Sequence, residues 1–164
     1  MKTLYLLRHA NAAPATPPQM VDYDRTLSAQ GVREARSVGR FMLSNRMQPD
    51  FVLSSSALRT TQTAQIILGI LFGKDAAQVA NNFDKELYNA PEAKILSEIQ
   101  RVDNGQRNLM VVGHNAGIAE LAFLLGQVER YEPATLSIFR ADCPSWSAFS
   151  AKTAKLEKIF LPES

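Results

Sequence analysis

The chain has 164 residues, a length that favours a single domain. Its hydrophobic fraction of 46% and charged fraction of 21% are ordinary for a globular protein. The 18 basic and 16 acidic residues give a net charge of +2, and no block is rich in lysine and arginine. This balance argues against a nucleic-acid or membrane partner, and we expect no segment to span a bilayer.

Cysteine usage and the N-terminus bear on the compartment. Cys143 is the single cysteine, so it forms no disulfide within the chain. It also lacks the further ligands nearby that a zinc site needs. This usage favours a reducing cytoplasm. The apolar stretch at the N-terminus stops at Arg8 and is shorter than the roughly 7–15 residues of a signal-peptide core. We therefore expect it to form the first buried strand.

The first predicted elements are a strand and a long loop. Thr3–Leu7 is apolar and predicts a strand. The segment Ala10–Thr26 contains Pro14, Pro17 and Pro18, and three prolines disfavour regular structure. We expect this segment to be a surface loop that follows the first strand.

Beyond that loop, apolar residues recur with helical or strand-like spacing to the end of the chain. Helices are predicted over Ala29–Asn45 with Ser28 as N-cap, from Ala57 to near Gly73, over Glu92–Val102, and from Asn115 as N-cap to Gly126. Strands are predicted over Phe51–Ser54, Val79–Phe83, Leu109–Val112 and Lys155–Leu161, together with a hairpin of Leu136–Ala141 and Trp146–Phe149. This alternation predicts an α/β sandwich with a mainly parallel central sheet flanked by helices.

The chain contains two histidines, and each follows an apolar, strand-like run. His9 comes after the first predicted strand, and His114 comes after Leu109–Val112. A single histidine is more often structural than functional, but ligands of open α/β sheets bind at the carboxyl ends of the strands. Imidazole also titrates near neutral pH. The two positions predict a pair brought together by folding, with one neutral ring as nucleophile beside one protonated ring.

Four motifs in chain order strengthen this prediction. They are Arg8-His9-Ala10, Asp22-x-Asp24-Arg25-x-Leu27-Ser28-x-x-Gly31, Ser54-Ser55-x-x-x-Arg59-x-x-Gln62-Thr63-Ala64, and Gly113-His114-Asn115-x-Gly117. Together they resemble the motifs of the histidine phosphatase superfamily, and the second resembles the loop-to-helix pattern of its phosphohistidine phosphatase branch. The resemblance covers nearly the whole chain. Ala116 stands where the common form of the last motif has proline, a change that removes no catalytic group.

The resemblance implies a phosphoglycerate mutase-like three-layer fold in which residues 1–164 form one domain. It also implies a catalytic core of Arg8, His9, Arg59 and His114, with His9 as the nucleophile that forms a phosphohistidine. Guanidinium groups match phosphate oxygens, so we expect no metal and no cofactor. A nearby dianion favours the protonated form of His114, and we expect that form when phosphate is bound.

Several further residues are candidates for contacts with the substrate or for proton transfer. Glu86 lies where many members of the family place the general acid, and Asp22 and Asp24 are alternatives. Glu86 has a plain alternative as a solvated surface carboxylate, and a strong acid is less necessary if the leaving group is an imidazole. The residues expected to contact substrate beside the catalytic core are Asn11, Arg25 and Asn115. Arg25 could instead pair with Asp22 or Asp24, Asn11 could merely form a turn, and Ser55 could be only a residue of the helix start.

Three functions remain open from the sequence. Only 54 residues lie between Arg59 and His114, too few for the lid insertion of the mutase branch, so hydrolysis is favoured over a mutase reaction. The first hypothesis is a phosphatase acting on phosphohistidine in a protein. The alternatives are a phosphatase of small phosphorylated metabolites and a non-catalytic phosphate-binding adaptor. A metal site of His9 and His114 is disfavoured because Arg8 and Arg59 would repel the cation.

Overall fold

A six-stranded sheet forms the centre of the computed structural model, which describes residues 1–16 and 20–162. The strands are β1 (Lys2–Arg8), β2 (Phe51–Ser55), β3 (Ala80–Asp84), β4 (Asn108–Gly113), β5 (Leu136–Ala141) and β6 (Ala154–Phe160). Their order across the sheet is β3-β2-β4-β1-β5-β6. β5 is antiparallel to both of its neighbours, whereas β1 to β4 pair in parallel. The predicted mainly parallel sheet is confirmed.

Two helices cover each face of this sheet, as the three-layer prediction requires. The helices are α1 (Ala29–Ser44), α2 (Leu58–Phe72), α3 (Glu92–Gln100) and α4 (Gly117–Gly126). Side chains alternate along a strand, and β1 shows the result. Leu4 and Leu6 join the core formed with α3 and α4, whereas Tyr5 and Leu7 join the core formed with α1 and α2. The fold class expected from the sequence is therefore confirmed.

The start of α1 shows how the local sequence fixes an element beside the first strand. Ser28 has extended backbone angles, and its Oγ accepts a hydrogen bond from the N–H of Gly31 at 3.0 Å. Such an N-cap contributes about 1 kcal/mol of helix stability. Of the preceding loop, Pro14 lies among the described residues and Pro17 and Pro18 lie outside them. The loop also contains a 3₁₀ turn at Asp22–Asp24.

The predicted hairpin at the C-terminus is wrong in its second half. Trp146–Ala148 forms a 3₁₀ turn, and the strand that pairs with β5 is β6. Trp146 and Phe149 are both fully buried, with ring centroids 5.4 Å apart. Residues three apart in a strand face opposite sides, whereas a 3₁₀ turn places them on the same side. Burial of both rings in one core therefore favours the turn.

The helices α1 to α4 are 9 to 16 residues long. Over residues 1–16 and 20–162, none of them combines the length and the apolar character that a bilayer crossing requires.

Candidate active site

The two histidines lie side by side at the carboxyl ends of two neighbouring strands. β1 and β4 pair in a register that sets Arg8 opposite Gly113, so the residue after each strand is a histidine. The N–H of His9 donates to the carbonyl of Gly113 at 3.0 Å. The ring centroids of His9 and His114 are 5.3 Å apart, and both residues are buried. Folding thus brings together two residues that are far apart in the sequence.

The hydrogen bonds of His9 determine which of its nitrogens is free to react. Nδ1 lies 2.7 Å from the carbonyl oxygen of Ala10, and a carbonyl only accepts, so Nδ1 carries the proton. Nε2 then bears the lone pair of the neutral ring. The Nε–H of Arg59 donates to this atom at 3.3 Å. His9 therefore presents Nε2 as a nucleophile next to a guanidinium group.

His114 is oriented by a different partner. Its Nε2 lies 2.8 Å from Oγ of Ser55, the last residue of β2. Its Nδ1 is buried and has no hydrogen-bond partner among the residues that the structure describes. The Tyr88 ring packs against the imidazole in a T-shaped arrangement, with centroids 5.4 Å apart. One nitrogen of His114 is thus held by the protein and the other is unpaired.

Both rings are neutral at pH 7 in the ligand-free protein. Burial lowers the pKa of His9 to about 4, and the positive charges of Arg59 and Arg8 act in the same direction against the hydrogen bond to Ala10. Burial also lowers the pKa of His114 to about 3, with contributions from His9 and Arg59. The expectation of one protonated ring therefore does not describe the ligand-free state. For the phosphate-bound state it stays a prediction.

Two arginines flank the imidazole pair. Arg59 lies in the first turn of α2 and is 4% exposed, and Arg8 is the last residue of β1. Nη1 of Arg8 donates to the carbonyl of Tyr131 at 3.0 Å, while its Nε is buried without a partner among the described residues. Unpaired N–H groups beside a neutral nucleophile form a site prepared for an anion.

These groups enclose a small polar pocket of about 240 Å³. The residues that line it are Arg8, His9, Asn11, Ala12, Arg25, Arg59, Asn89, His114, Asn115 and Pro133. The three candidate proton donors, Glu86, Asp22 and Asp24, are not among them. Every other site residue expected from the sequence is. Three arginines and no carboxylate occur in this set of described residues, so the lining suits a dianion such as a phosphoryl group.

Asp22 organises the mouth of the pocket. Its carboxylate accepts from Arg59 Nη2 at 3.0 Å, from Arg25 Nη1 at 2.9 Å and from the hydroxyl of Tyr88. Its main-chain carbonyl accepts from Arg59 Nη1 at 2.8 Å. The hydrogen bonds from Tyr88 and Arg25, together with Arg59, hold the pKa of Asp22 below its usual range. An ionised carboxylate cannot donate a proton, so Asp22 is better suited to orienting Arg59 than to acting as an acid.

Two glycines allow the loops of the site to approach closely. A Cβ on Gly31 would lie 1.9 Å from the carbonyl oxygen of Asn11, and a Cβ on Gly117 would lie 1.9 Å from that of Ala90. Only glycine fits such approaches. Gly31 thereby brings α1 against the loop after His9, and Gly117 brings α4 against the loop that carries Tyr88.

The loop after His9 is further held by a buried carboxylate. Oε1 of Glu34 accepts the N–H of Asn11 at 2.8 Å, and Oε2 accepts from Gln30 at 3.1 Å. Oδ1 of Asn11 accepts from the hydroxyl of Ser28 at 2.7 Å. Asn11 thus lines the pocket while its backbone and its side-chain oxygen are fixed by α1 and its N-cap.

Asn115 was expected to cap the last helix, and this expectation is wrong. α4 begins at Gly117, and its N-cap, Ala116, makes no side-chain cap hydrogen bond. Nδ2 of Asn115 donates instead to the carbonyl of Tyr131 at 3.0 Å, the same oxygen that Arg8 binds. The side-chain amide of Asn115 therefore binds the wall of the pocket and does not cap α4.

Two of the candidate proton donors lie away from the pocket. Glu86 is exposed, and its Oε2 forms an ion pair with Nζ of Lys94 at 3.1 Å. Asp24 is also exposed and does not line the pocket. The structure does not bring either carboxylate to the imidazole pair, so a catalytic role for Glu86 stays a prediction with no contact to support it.

Several residues of the site were not singled out from the sequence. Asn89 lines the pocket with a φ of 52°, in the left-handed region that asparagine tolerates, so the turn around it was recognisable but its role was not. Nothing in the sequence marked Pro133 or the carbonyl of Tyr131 as part of the site. Ser55 lay within a quoted motif, but its contact with His114 depends on the pairing of β2 with β4.

Comparison with known proteins agrees with this geometry. Residues 4–72 match the histidine phosphatase superfamily (branch 1). An uncharacterized protein of Mycobacterium tuberculosis is 34% identical over 122 residues, which cover 74% of this chain and 71% of that protein. The chain belongs to the histidine phosphatase superfamily.

Two solved structures extend the similarity to the whole chain. A candidate phosphohistidine phosphatase, SixA, from Nakamurella multipartitia has a TM-score of 0.83 and 26% identity, covering 99% of this chain and 97% of that one. A second candidate SixA, from Agrobacterium tumefaciens, has a TM-score of 0.81 and 29% identity, covering 99% of both chains. The resemblance to the phosphohistidine phosphatase branch is confirmed.

Proposed function

We propose that this protein is a phosphatase that removes a phosphoryl group from phosphohistidine in a protein, by way of a covalent intermediate on His9. The observation that carries the proposal is the unprotonated Nε2 of His9, set 3.3 Å from Nε of Arg59 in a small pocket with three arginines. Such a nucleophile can attack phosphorus while fixed cations stabilise the charge of the transition state.

In the first step, Nε2 of His9 forms a bond to phosphorus as the bond to the leaving nitrogen or oxygen breaks. The leaving atom keeps the electron pair of the broken bond. Arg8, Arg59 and His114 donate hydrogen bonds to the phosphoryl oxygens. In the second step, water attacks phosphorus and the bond to His9 breaks, which releases inorganic phosphate and restores the neutral imidazole.

The chemistry of the pocket favours phosphohistidine over phosphate esters. An alkoxide leaving group needs a proton donor, but the described lining residues contain no carboxyl group, and Asp22 at the mouth is ionised. A substrate imidazole that already carries a proton on its other ring nitrogen leaves as a neutral ring. It therefore depends less on a strong acid of the enzyme. The similarity to structures described as phosphohistidine phosphatases supports the same choice.

The shortness of the segment between Arg59 and His114 supports a protein substrate. The segment between Arg59 and His114 is taken up by the rest of α2, by β3, α3, β4 and short turns, so it supplies no domain that could close over a small molecule. A phosphoryl group presented on a protein surface needs no such closure. Small phosphorylated metabolites remain the second candidate, because a 240 Å³ pocket would also admit them.

A substrate panel tests the proposal. We expect a phosphohistidine-bearing phosphotransfer domain or phosphocarrier to be hydrolysed with a kcat/KM at least about 100-fold above those of sugar and nucleotide phosphates. The His9→Ala variant serves as the background control. We also expect chelators to leave the rate unchanged. A higher kcat/KM for a small phosphomonoester would overturn the choice of substrate, and binding of the phosphoprotein without turnover would favour an adaptor.

A further inference from the structure

The hydroxyl of Ser55 lies between a backbone N–H and the ring of His114. Its Oγ accepts from the N–H of Ala57 at 3.2 Å and lies 2.8 Å from Nε2 of His114. Ser55 and its neighbour Ser54 are fully buried at the end of β2. Water therefore does not compete for either contact of the Ser55 hydroxyl.

The direction of the bond to His114 follows from what Ser55 can satisfy. A hydroxyl has one hydrogen and two lone pairs, and the N–H of Ala57 already uses a lone pair. Nε2 of His114 is the one acceptor within reach of the Ser55 hydrogen among the described residues. If Nε2 carried the proton instead, the buried hydroxyl hydrogen would lose its partner, which is costly. The hydroxyl therefore donates, and the proton of the neutral ring sits on Nδ1.

We propose that Ser55 is a positioning residue that holds His114 in the Nδ1–H tautomer, so that the uncharged ring offers this N–H to a phosphoryl oxygen. Nδ1 of His114 is buried and has no acceptor among the described residues, and His114 lines the same pocket as Arg8 and Arg59. An anion that enters the pocket supplies the missing acceptor. The identity of this anion rests on the proposed function, whereas the tautomer does not.

Serine suits both charge states of His114. When an anion raises the proton affinity of the ring, the second proton adds to Nε2, and the N–H formed there needs an acceptor. Oγ of Ser55 has a second lone pair, and rotation of the hydroxyl exposes it to Nε2. Ser55 therefore donates to the neutral ring and accepts from the protonated one. Alanine at this position could do neither.

Nitrogen NMR of the ring atoms tests the proposal directly. The chain has only two histidines, so long-range proton–nitrogen correlations of the labelled, ligand-free protein contain two imidazole patterns, which the His9→Ala spectrum assigns. We expect Nδ1 protonated and Nε2 unprotonated for His114 in the wild type at pH 7.5. A protonated Nε2 with a bare Nδ1 would overturn the proposal, and this test requires no variant of Ser55.

Ser55→Ala shows whether the serine is the cause. We expect the His114 nitrogens to shift toward a mixture of the two tautomers, while those of His9, whose Nδ1 is held by the Ala10 carbonyl, stay unchanged. Ser54→Ala is the matched control, because it removes a buried hydroxyl from the adjacent residue, whose Oγ donates to the Ser55 carbonyl at 2.8 Å and not to His114. A wild-type His114 pattern in Ser55→Ala would overturn the proposal.

The functional consequence is measured separately. In Ser55→Ala we expect kcat for the phosphoprotein to fall on the order of 10-fold to 100-fold, with a smaller change in KM, and the shift of Nδ1 caused by inorganic phosphate to weaken. An unchanged kcat would overturn the positioning role. If the wild type hydrolyses no phosphorylated substrate but the tautomers behave as expected, the proposed function fails and the assignment of Ser55 stands.

Discussion

The two histidines of this protein occupy equivalent places and are used in opposite ways. Each follows a parallel strand of the same sheet, and their rings lie 5.3 Å apart. The protein holds Nδ1 of His9 through the carbonyl of Ala10 and leaves Nε2 beside Arg59. For His114 it holds Nε2 through Ser55 and leaves Nδ1 unpaired among the described residues. The strand ends set the position of each ring, and the hydrogen-bond partner selects the nitrogen that faces the chemistry.

This difference assigns different roles to similar side chains. A carbonyl can only accept, so the tautomer of His9 is fixed with a lone pair on Nε2, as a nucleophile requires. A hydroxyl can donate or accept, so His114 can change its charge without losing its partner. Because His9 is held as a nucleophile and His114 as a hydrogen-bond donor, we expect replacement of the two rings to lower kcat by different amounts.

The largest expected effect is that of His9→Ala. We expect kcat to fall by roughly 10⁴-fold or more, because the nucleophile is lost, while inorganic phosphate still binds through Arg8, Arg59 and His114. His114→Ala should cost less, roughly 10²-fold to 10³-fold, because it removes one stabilising donor. Steady-state kinetics and calorimetric phosphate titrations of both variants measure this. Equal losses in the two variants, or full activity of His9→Ala, would contradict the division of roles.

A second effect concerns stability and pH. The pKa of His9 is lowered to about 4 in the folded protein, against an ordinary value near 6.5 in the unfolded chain. Below pH 6.5 the unfolded chain therefore binds a proton that the folded protein excludes. The free energy of unfolding should fall as the pH drops from 6.5 to about 4, by roughly 3 kcal/mol at most from this residue.

Urea unfolding of the wild type and of His9→Gln between pH 7 and pH 4.5 measures this contribution. Both proteins share every other titrating group, including His114, whose pKa is also lowered, to about 3. We expect the loss of stability with falling pH to be smaller in His9→Gln than in the wild type. Parallel curves for the two proteins would show that His9 is not buried in its neutral form.

The smallest expected effect is that of Glu86→Gln. Glu86 is exposed and pairs with Lys94, so the substitution should change kcat/KM by no more than about 2-fold. Lys94→Gln is the control, because it breaks the same ion pair from the other side, together with the pair of Lys94 and Glu98 at 3.0 Å. If kcat fell by about 100-fold or more in Glu86→Gln alone, this residue would be restored as the general acid.

Sequence reasoning predicted the parts of the molecule that depend on local pattern. The helices and most strands were within a few residues of the observed bounds, because apolar periodicity and caps such as Ser28 report local structure directly. The segment Trp146–Phe149 failed because its short apolar run fits a strand and a turn equally well. The burial of both aromatic rings on one side decides between them, and only the packed core shows this.

The site residues likewise fall into those that the sequence pattern predicts and those that only the folded chain reveals. Arg8, His9, Arg59 and His114 follow strands or begin a helix, so the topology alone brings them together. The contacts that orient them depend on loops that meet only in the folded chain. Nothing in the sequence indicated the partners of the Ser55 hydroxyl and the Tyr131 carbonyl. For the Asp22 carboxylate it suggested Arg25 but neither Arg59 nor Tyr88. It also did not show that Glu86 is absent from the lining of the pocket.

The central claim is that His9 carries the phosphoryl group during turnover. Rapid mixing of the enzyme with a radiolabelled phosphoprotein, followed by acid or alkaline quench, tests it most directly. The account predicts a label on the wild-type enzyme that is lost in acid and stable in base, and no such label on His9→Ala. Turnover by the wild type without any label, or a label retained by His9→Ala, would contradict it.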